Sequence, residues 1–251
     1  MIVITGDLHR NYDIDKLSKI ADLPSFPSIV LVAGDFGGIW NKPTIDIDGK
    51  VVLHPDDVDF IESLKRYPFK IISCLGNHEN YDVIDKLPRI SAYGGRIIRL
   101  SDNVDLLDRG YVYNLEGYSF LSIGGAMSMD RAYRIEHESY WSNEVINNND
   151  IDIAFNELNK VDNKVDFVLT HTCPSSVLKS EIDSLDELVS NYKMKLQFAL
   201  ENDPSVNFLE EIKNKVEFSN WFFGHFHLDK SFSYQGSSNF MCLYNSWKIL
   251  E

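Results

Sequence analysis

Seven residues of cation-binding type stand in or directly after apolar runs of this chain. Asp7 and His9 follow IVIT, Asp35 follows SIVLVA and Asn77 follows KIISCL; His171 lies in VDFVLTHT, and His225 and His227 lie in NWFFGHFH. Five of the seven histidines, His9, His78, His171, His225 and His227, are placed in this way, whereas His54 and His137 lie in polar surroundings. A single histidine after a strand is ordinarily a loop or core residue with a satisfied hydrogen bond; five of them together call for a common explanation. Imidazoles and carboxylates suit hard or borderline divalent cations, and a carboxylate with two oxygens can bridge ions about 4 Å apart, as a dinuclear hydrolytic centre requires. Asp7 and His9 are two positions apart, as are His225 and His227, and in an extended segment such pairs point the same way. The amide oxygen of Asn77 adds a neutral donor.

These residues need a scaffold that gathers strand ends. The runs IVIT, SIVLVA, KIISCL, YSFLSIGGA at 118–126, VDFVLTHT at 165–172 and NWFFGHFH at 220–227 read as strands buried on both faces, and a hairpin is expected around Gly236. Helical patterns fall at 12–22, 56–66, 80–87, 140–146, 150–160 and 181–202. Strands alternating with helices predict α/β layers, in which the carboxyl ends of parallel strands share one edge and residues far apart in sequence meet. Residues 40–54, with Pro43 and Asp48-Gly49, read as a loop or small hairpin inserted after a strand. No internal repeat or domain boundary stands out, so a single domain over 1–251 is expected.

The composition narrows the class. With 251 residues, of which 44% are hydrophobic, the chain can fill a sizeable core. No apolar run reaches the roughly 18 residues of a membrane span, and the start shows no export signal. Cys74, Cys173 and Cys242 lack metal-type spacing and read as reduced, buried thiols, which points to a cytoplasmic location. Against 24 basic residues stand 38 acidic ones, a net charge of −14 that disfavours non-specific nucleic-acid binding and anionic membranes.

The motifs GDLH, GD, GNHE, TH and GHFH, in this order between residues 4 and 227, resemble the calcineurin-like metallophosphoesterase superfamily. That resemblance implies a four-layer αββα sandwich of two mixed β-sheets flanked by helices. It assigns Asp7, His9, Asp35 and His227 to one ion and Asp35, Asn77, His171 and His225 to the other, with Asp35 as the bridge. It implies direct hydrolysis of a phosphate ester by a metal-bridging hydroxide. His78 stays off the metals as the acid or transition-state stabiliser, and Glu79 is either a helix cap or a group that orients its neighbours. Manganese is the first expectation for the two ions, with iron or zinc as alternatives. The expected substrate is a small phosphate ester or a nucleotide. A phosphodiesterase or nucleotide pyrophosphohydrolase, and a non-catalytic metal-binding scaffold, are the competing readings.

The chain departs from the Ser/Thr protein phosphatase branch, whose GDxVDRG has GDFGGIW as its counterpart here: Gly38 and Ile39 replace the second Asp and the Arg, which argues against protein phosphatase activity of that kind. Arg10 stands where much of the family has Gly, as a phosphate contact or as a surface arginine paired with an acid such as Asp13. In the segment 129–144, Arg131 and Arg134 offer cations for phosphate, and Tyr133, Tyr140 and Trp141 offer aromatic faces; the alternative is a helix start with Tyr140 and Trp141 packed on the core.

Overall fold

In the computed structural model, which describes residues 1–185 and 190–251, two mixed sheets pack face to face. The first runs in the order Trp247–Leu250, Ile2–Thr5, Ile29–Val32, Lys70–Ser73, Val104–Leu107, Gly95–Ser101, Ile90–Ala92. Its strands from Ile2–Thr5 through Val104–Leu107 are parallel, with antiparallel strands at both edges. The second runs Lys230–Tyr234, Ser237–Cys242, Asn220–Phe223, Phe167–Thr170, Tyr118–Ile123, Tyr111–Leu115, and its four central strands are parallel.

Alternation of the strand side chains produces the layers. Ile2, Ile4, Leu31 and Ile72 of the first sheet meet Phe120, Phe167, Leu169 and Phe222 of the second in one buried cluster. The opposite face of the first sheet, with Val3, Val30 and Ile71, packs on Leu17 and Ile20 of helix Asp15–Ala21 and on Phe60 and Ile61 of helix Pro55–Ser63. The outer face of the second sheet, with Leu121, Val168 and Trp221, is covered by the helices Asn148–Asn159, Ser175–Ser184, Ser190–Asn202 and Pro204–Lys213. This is the expected αββα sandwich. Strands buried on both faces read as unbroken apolar runs, so the central strands are visible in the sequence.

The differences lie elsewhere. Strands Ile90–Ala92, Gly95–Ser101, Val104–Leu107, Tyr111–Leu115 and Trp247–Leu250 and the helix Pro204–Lys213 are not anticipated by the sequence pattern. The pattern at 140–146 gives only a 3-10 turn at Ser142–Glu144, and the single helix expected at 181–202 is two helices, Ser175–Ser184 and Ser190–Asn202, with residues 186–189 outside the described residues. The small hairpin in 40–54 is present, Thr44–Ile45 against Val51–Val52. The three cysteines are free and buried, and among the described residues no helix is long and apolar enough to cross a membrane.

Candidate metal centre

Parallel strands of both sheets end on one side, and the loops that follow carry the donor residues. After strand Ile2–Thr5 the chain turns through Asp7 and His9; the amides of Leu8 and His9 donate to the Asp35 carbonyl at 3.0 and 2.8 Å, stitching the first loop to the second. Asp35 is central. Its Oδ2 lies 3.2 Å from His9 Nε2, and its Oδ1 lies 3.1 Å from His171 Nε2 and accepts the His78 amide at 2.8 Å. His171 Nε2 is also 3.0 Å from the Asn77 amide oxygen, and Asp7 Oδ1 accepts the His225 amide at 3.1 Å. His227 Nε2 is 3.8 Å from Asp7 Oδ2. Two donor groups able to hold a cation share Asp35: His9, Asp35 and His78, and Asp7, Asp35 and His171. The structure thus brings together all seven sequence-predicted donors and His78, and it also puts a ring nitrogen of His78 within reach of a cation beside His9 and Asp35.

The extended-chain argument for the paired residues does not hold. His9, Asp35, His225 and His227 all adopt left-handed backbone, with φ of 41°, 50°, 67° and 55°. Such conformations cost non-glycine residues of order 1 kcal/mol each and cluster at functional sites. The motif glycines serve close approach: a Cβ on Gly76 would lie 2.1 Å from Asp35 Oδ1, and one on Gly224 would lie 2.4 Å from Asp7 Oδ1.

Neighbours orient the imidazoles. Asp13 Oδ2 is 2.6 Å from His9 Nδ1, which leaves Nε2 for the centre, and Tyr244 Oη donates to the other Asp13 oxygen at 3.0 Å. His171 donates through Nδ1 to the Ala33 carbonyl at 2.7 Å. Tyr244 stacks on His227 with ring centroids 4.6 Å apart. Buried Lys16 donates to the carbonyls of Gly6 and Asp7 at 3.2 and 2.6 Å, and to that of Tyr244. Glu79 does not cap a helix: its Oε1 accepts the amides of Phe36 and, weakly, Gly37, and so holds the Asp35 loop. From the other side Glu144 accepts from the Ser128 hydroxyl at 2.9 Å, and Ser128 Oγ accepts from the Asn77 amide nitrogen at 3.2 Å. Tethering of this kind fixes tautomer and ring orientation around a metal.

The local electrostatics follow from two buried carboxylates. Burial lifts the Asp7 carboxyl to about 6, with the Asp35 charge adding to it. Burial also opposes charge on Asp35, yet His171, His78 and His9 hold it well below the usual carboxylate range. Burial favours neutral His9 and His171, but Asp35 and Asp7 outweigh it and raise both to about 9. His225 is held well below its ordinary value by burial and by His171, and His227 falls to about 4 through burial and His9, with Lys195 adding to the effect. His78 is lowered by burial, with Arg134 and His9 adding.

The donor set fits divalent cations on a direct observation: Asp7 Oδ2 and His225 Nε2 are fully buried and have no hydrogen-bond partner. Such groups are costly unless something else satisfies them. Both belong to the predicted donors, and an ion among oxygen and nitrogen ligands would take up their lone pairs.

Of the predicted substrate contacts, Arg134 lies at the centre, its Nη2 3.3 Å from His78 Nε2, and its Nε pairs with Asp130 at 2.5 Å. Arg10 lines the cleft with its guanidinium held by buried Asp57 at 2.6 Å and by the Asp56 carbonyl; it is thus paired with an acid, as the alternative reading had it, but the acid is Asp57, and Asp13 serves His9. Arg131 lies over the Tyr140 ring, 4.4 Å from its centroid. Trp141 is fully buried, as the core-packing alternative expected, but Tyr140 is only half-buried; exposed Tyr133 lies away from the cavities at the centre. Where the phosphatase branch has an acid and an arginine, Ile39 is buried in the core; Trp40 stacks on His78 at 5.6 Å and Arg134 takes its Nε2. The sequence reading misses Trp40, Lys16, Tyr244, Ser128, Glu144 and Lys195, because none carries a motif.

A family model described as calcineurin-like phosphoesterase matches residues 1–229. No curated protein matches the chain. Among solved structures, a phosphopantetheinyl hydrolase from Mycobacterium tuberculosis is 16% identical, covering 97% of this chain and 89% of that one with a TM-score of 0.48. A hypothetical protein from Thermus thermophilus is 13% identical, covering 97% and 74% with a TM-score of 0.40.

Proposed function

Because the chain belongs to the calcineurin-like phosphoesterase family, we propose that it hydrolyses a phosphate ester using two divalent cations held by Asp7, His9, Asp35, Asn77, His171, His225 and His227. The observation that carries this reading is the pair of buried, unpartnered donor atoms, Asp7 Oδ2 and His225 Nε2, beside an Asp35 carboxylate whose two oxygens face His9 and His171. With oxygen and nitrogen donors throughout, manganese, iron and zinc all suit the site, manganese being the first choice for reconstitution. When bound, the ions supply Lewis acidity that polarises phosphoryl oxygens and activates water for in-line attack.

The chain's own residues do the rest. Asp35 bridges the two halves of the donor set, His9, Asp7 and His227 complete one half, and Asn77, His171 and His225 complete the other. Asp13 and the Ala33 carbonyl fix which nitrogens of His9 and His171 face inward. His78, packed on Trp40, steadies the charge that builds on the phosphoryl group and on the departing oxygen. Arg134, anchored by Asp130 and the Ser139 carbonyl, presents fixed positive charge beside it without needing to move.

The test combines metal analysis with turnover. Metal-stripped protein reconstituted with manganese should bind two ions and hydrolyse an aryl phosphate ester such as p-nitrophenyl phosphate, whereas Asp35→Asn should lose both ions and activity. Full metal-independent turnover, or an Asp35→Asn variant as active as wild type, would overturn the proposal.

A further inference from the structure

Two cavities meet above the donor residues. The larger, about 780 Å³, has Tyr12, Trp40 and Tyr244 among its walls; the smaller, about 220 Å³, contains Asp35, Asn77, His225 and Lys195. His78, Arg134 and His227 line both and form the neck between them. The division is chemical as well as spatial. The small cavity carries donor residues of the centre and has room for a phosphoryl group, whereas the large one has the size of pockets that enclose an organic ligand. Tyr12 stands at its lip, 91% exposed, and among the described residues no other ring or cation contacts it.

Apart from the histidines, three cationic side chains line these cavities, and two are already engaged: Arg10 by Asp57, and Arg134 by Asp130, the Ser139 carbonyl and His78. Lys195, on helix Ser190–Asn202, has no hydrogen bond and no carboxylate partner among the described residues. A cation that lines a cavity with no carboxylate partner is available to an anion entering it.

We propose that Lys195 binds a terminal phosphoryl oxygen and that the substrate is a phosphomonoester whose organic group, bearing a planar or apolar face, lies between Tyr12 and Trp40. The inference rests on the hydrolytic reading above. A monoester offers three terminal oxygens and a diester two; one oxygen more than a diester has is what a further cation facing the centre selects. Of the two cavities only the larger has room for an organic group, and Met129, Asp130 and Lys195 line the smaller one. In the reaction a water oxygen bonds to phosphorus as the P–O bond to the organic group breaks. One proton of that water ends on the released alcohol, and orthophosphate is the second product.

Orthophosphate therefore serves as a probe that needs no turnover. Manganese-loaded protein, wild type, Lys195→Met and Lys195→Arg, is titrated with orthophosphate by calorimetry and assayed on p-nitrophenyl phosphate and bis-p-nitrophenyl phosphate. The metal content of each is measured first. Wild type should prefer the monoester. Lys195→Met should weaken orthophosphate binding and raise the monoester KM by about tenfold each, the scale of one lost charge-assisted contact, with kcat and the diester KM changing far less. Lys195→Arg should restore most of the affinity. Preference of the wild type for the diester, or orthophosphate binding unchanged in Lys195→Met at equal metal content, would overturn the proposal. If wild type turns over neither ester, the hydrolytic reading and the monoester assignment fall together. The calorimetric comparison then still decides whether Lys195 forms an anion site.

Discussion

The Arg134 guanidinium donates a hydrogen bond to His78 Nε2 across 3.3 Å. A guanidinium has no acceptor, so in this contact Arg134 can only donate and His78 Nε2 accepts. Trp40, stacked on the same ring, keeps it from turning. Arg134 and His78 are thus in direct contact, and the two residues should act as a unit.

His78→Ala is expected to keep most of its bound metal and to lose at least about a hundredfold in kcat, the usual scale for a positioned acid or base. Arg134→Met should lower kcat in the same direction, and the double variant should be little worse than His78→Ala alone. Steady-state kinetics on the three variants at measured metal content check this; additive losses would show that the two residues act independently.

Gly224→Ala should damage the centre without touching a donor. The added Cβ would lie 2.4 Å from Asp7 Oδ1, so the carboxylate or the loop must move. A loss of about 1 to 3 kcal/mol in stability is expected, as for other overpacked sites, together with weaker metal binding. Thermal denaturation and metal titration report the two effects separately.

Asp57 is fully buried and gathers Arg10, the amides of Trp40 and Asn41 and the Asn41 side chain. Asp57→Ala strands these donors and should cost about 3 kcal/mol in a urea denaturation experiment, the lower end for breaking a buried pair because Arg10 keeps some solvent contact. Freed from Asp57, the Arg10 guanidinium would also enter the cleft, so KM should change alongside stability.

Glu144 is raised to about 7, chiefly by burial. Its folded value exceeds the ordinary 4.5, so the folded chain holds a proton that the unfolded chain releases between these limits. The stability from this group is full below about pH 4.5 and is lost as pH rises through about 7. Glu144→Gln should flatten that part of the stability profile, measured by chemical denaturation between about pH 5 and 8; a variant with an unchanged profile would assign the dependence to other groups.

Bound cations should stabilise the fold by mass action. At a free ion concentration about 100 times the dissociation constant the gain is about 2.7 kcal/mol per site, and chelation should remove it. Differential scanning calorimetry with and without EDTA measures it, and Asp35→Asn should show no such difference.

The donor residues are legible in the sequence because each follows an apolar run and because their types converge on one chemistry. The central strands are legible because burial on both faces keeps them largely apolar, with only small polar residues such as Ser122 and Thr170 buried among them. The meander from Ile90 to Leu115 is not, since its charges look like surface residues until strands pair. Asp105 is fully buried, but Lys70, Arg99 and Tyr93 reach it from their own strands or close beside them. Helix Pro204–Lys213 does carry a signal in Asp203-Pro204, a side-chain cap followed by proline in the first turn. Lys195 and Tyr244 cannot be read at all, because their roles depend on how a helix face and a hairpin end are brought to the cleft.

Asp7, His9, Asp35 and Asn77 follow strands of the first sheet, and His171, His225 and His227 follow strands of the second. The bond from the His225 amide to Asp7 closes a separation of 218 residues, and that from His171 to Ala33 closes 138. Contacts so distant along the chain form late, after the entropy of large loops has been overcome. A chain with only one sheet built would hold only part of the donor set, so tight cation capture is expected only once the two sheets have docked.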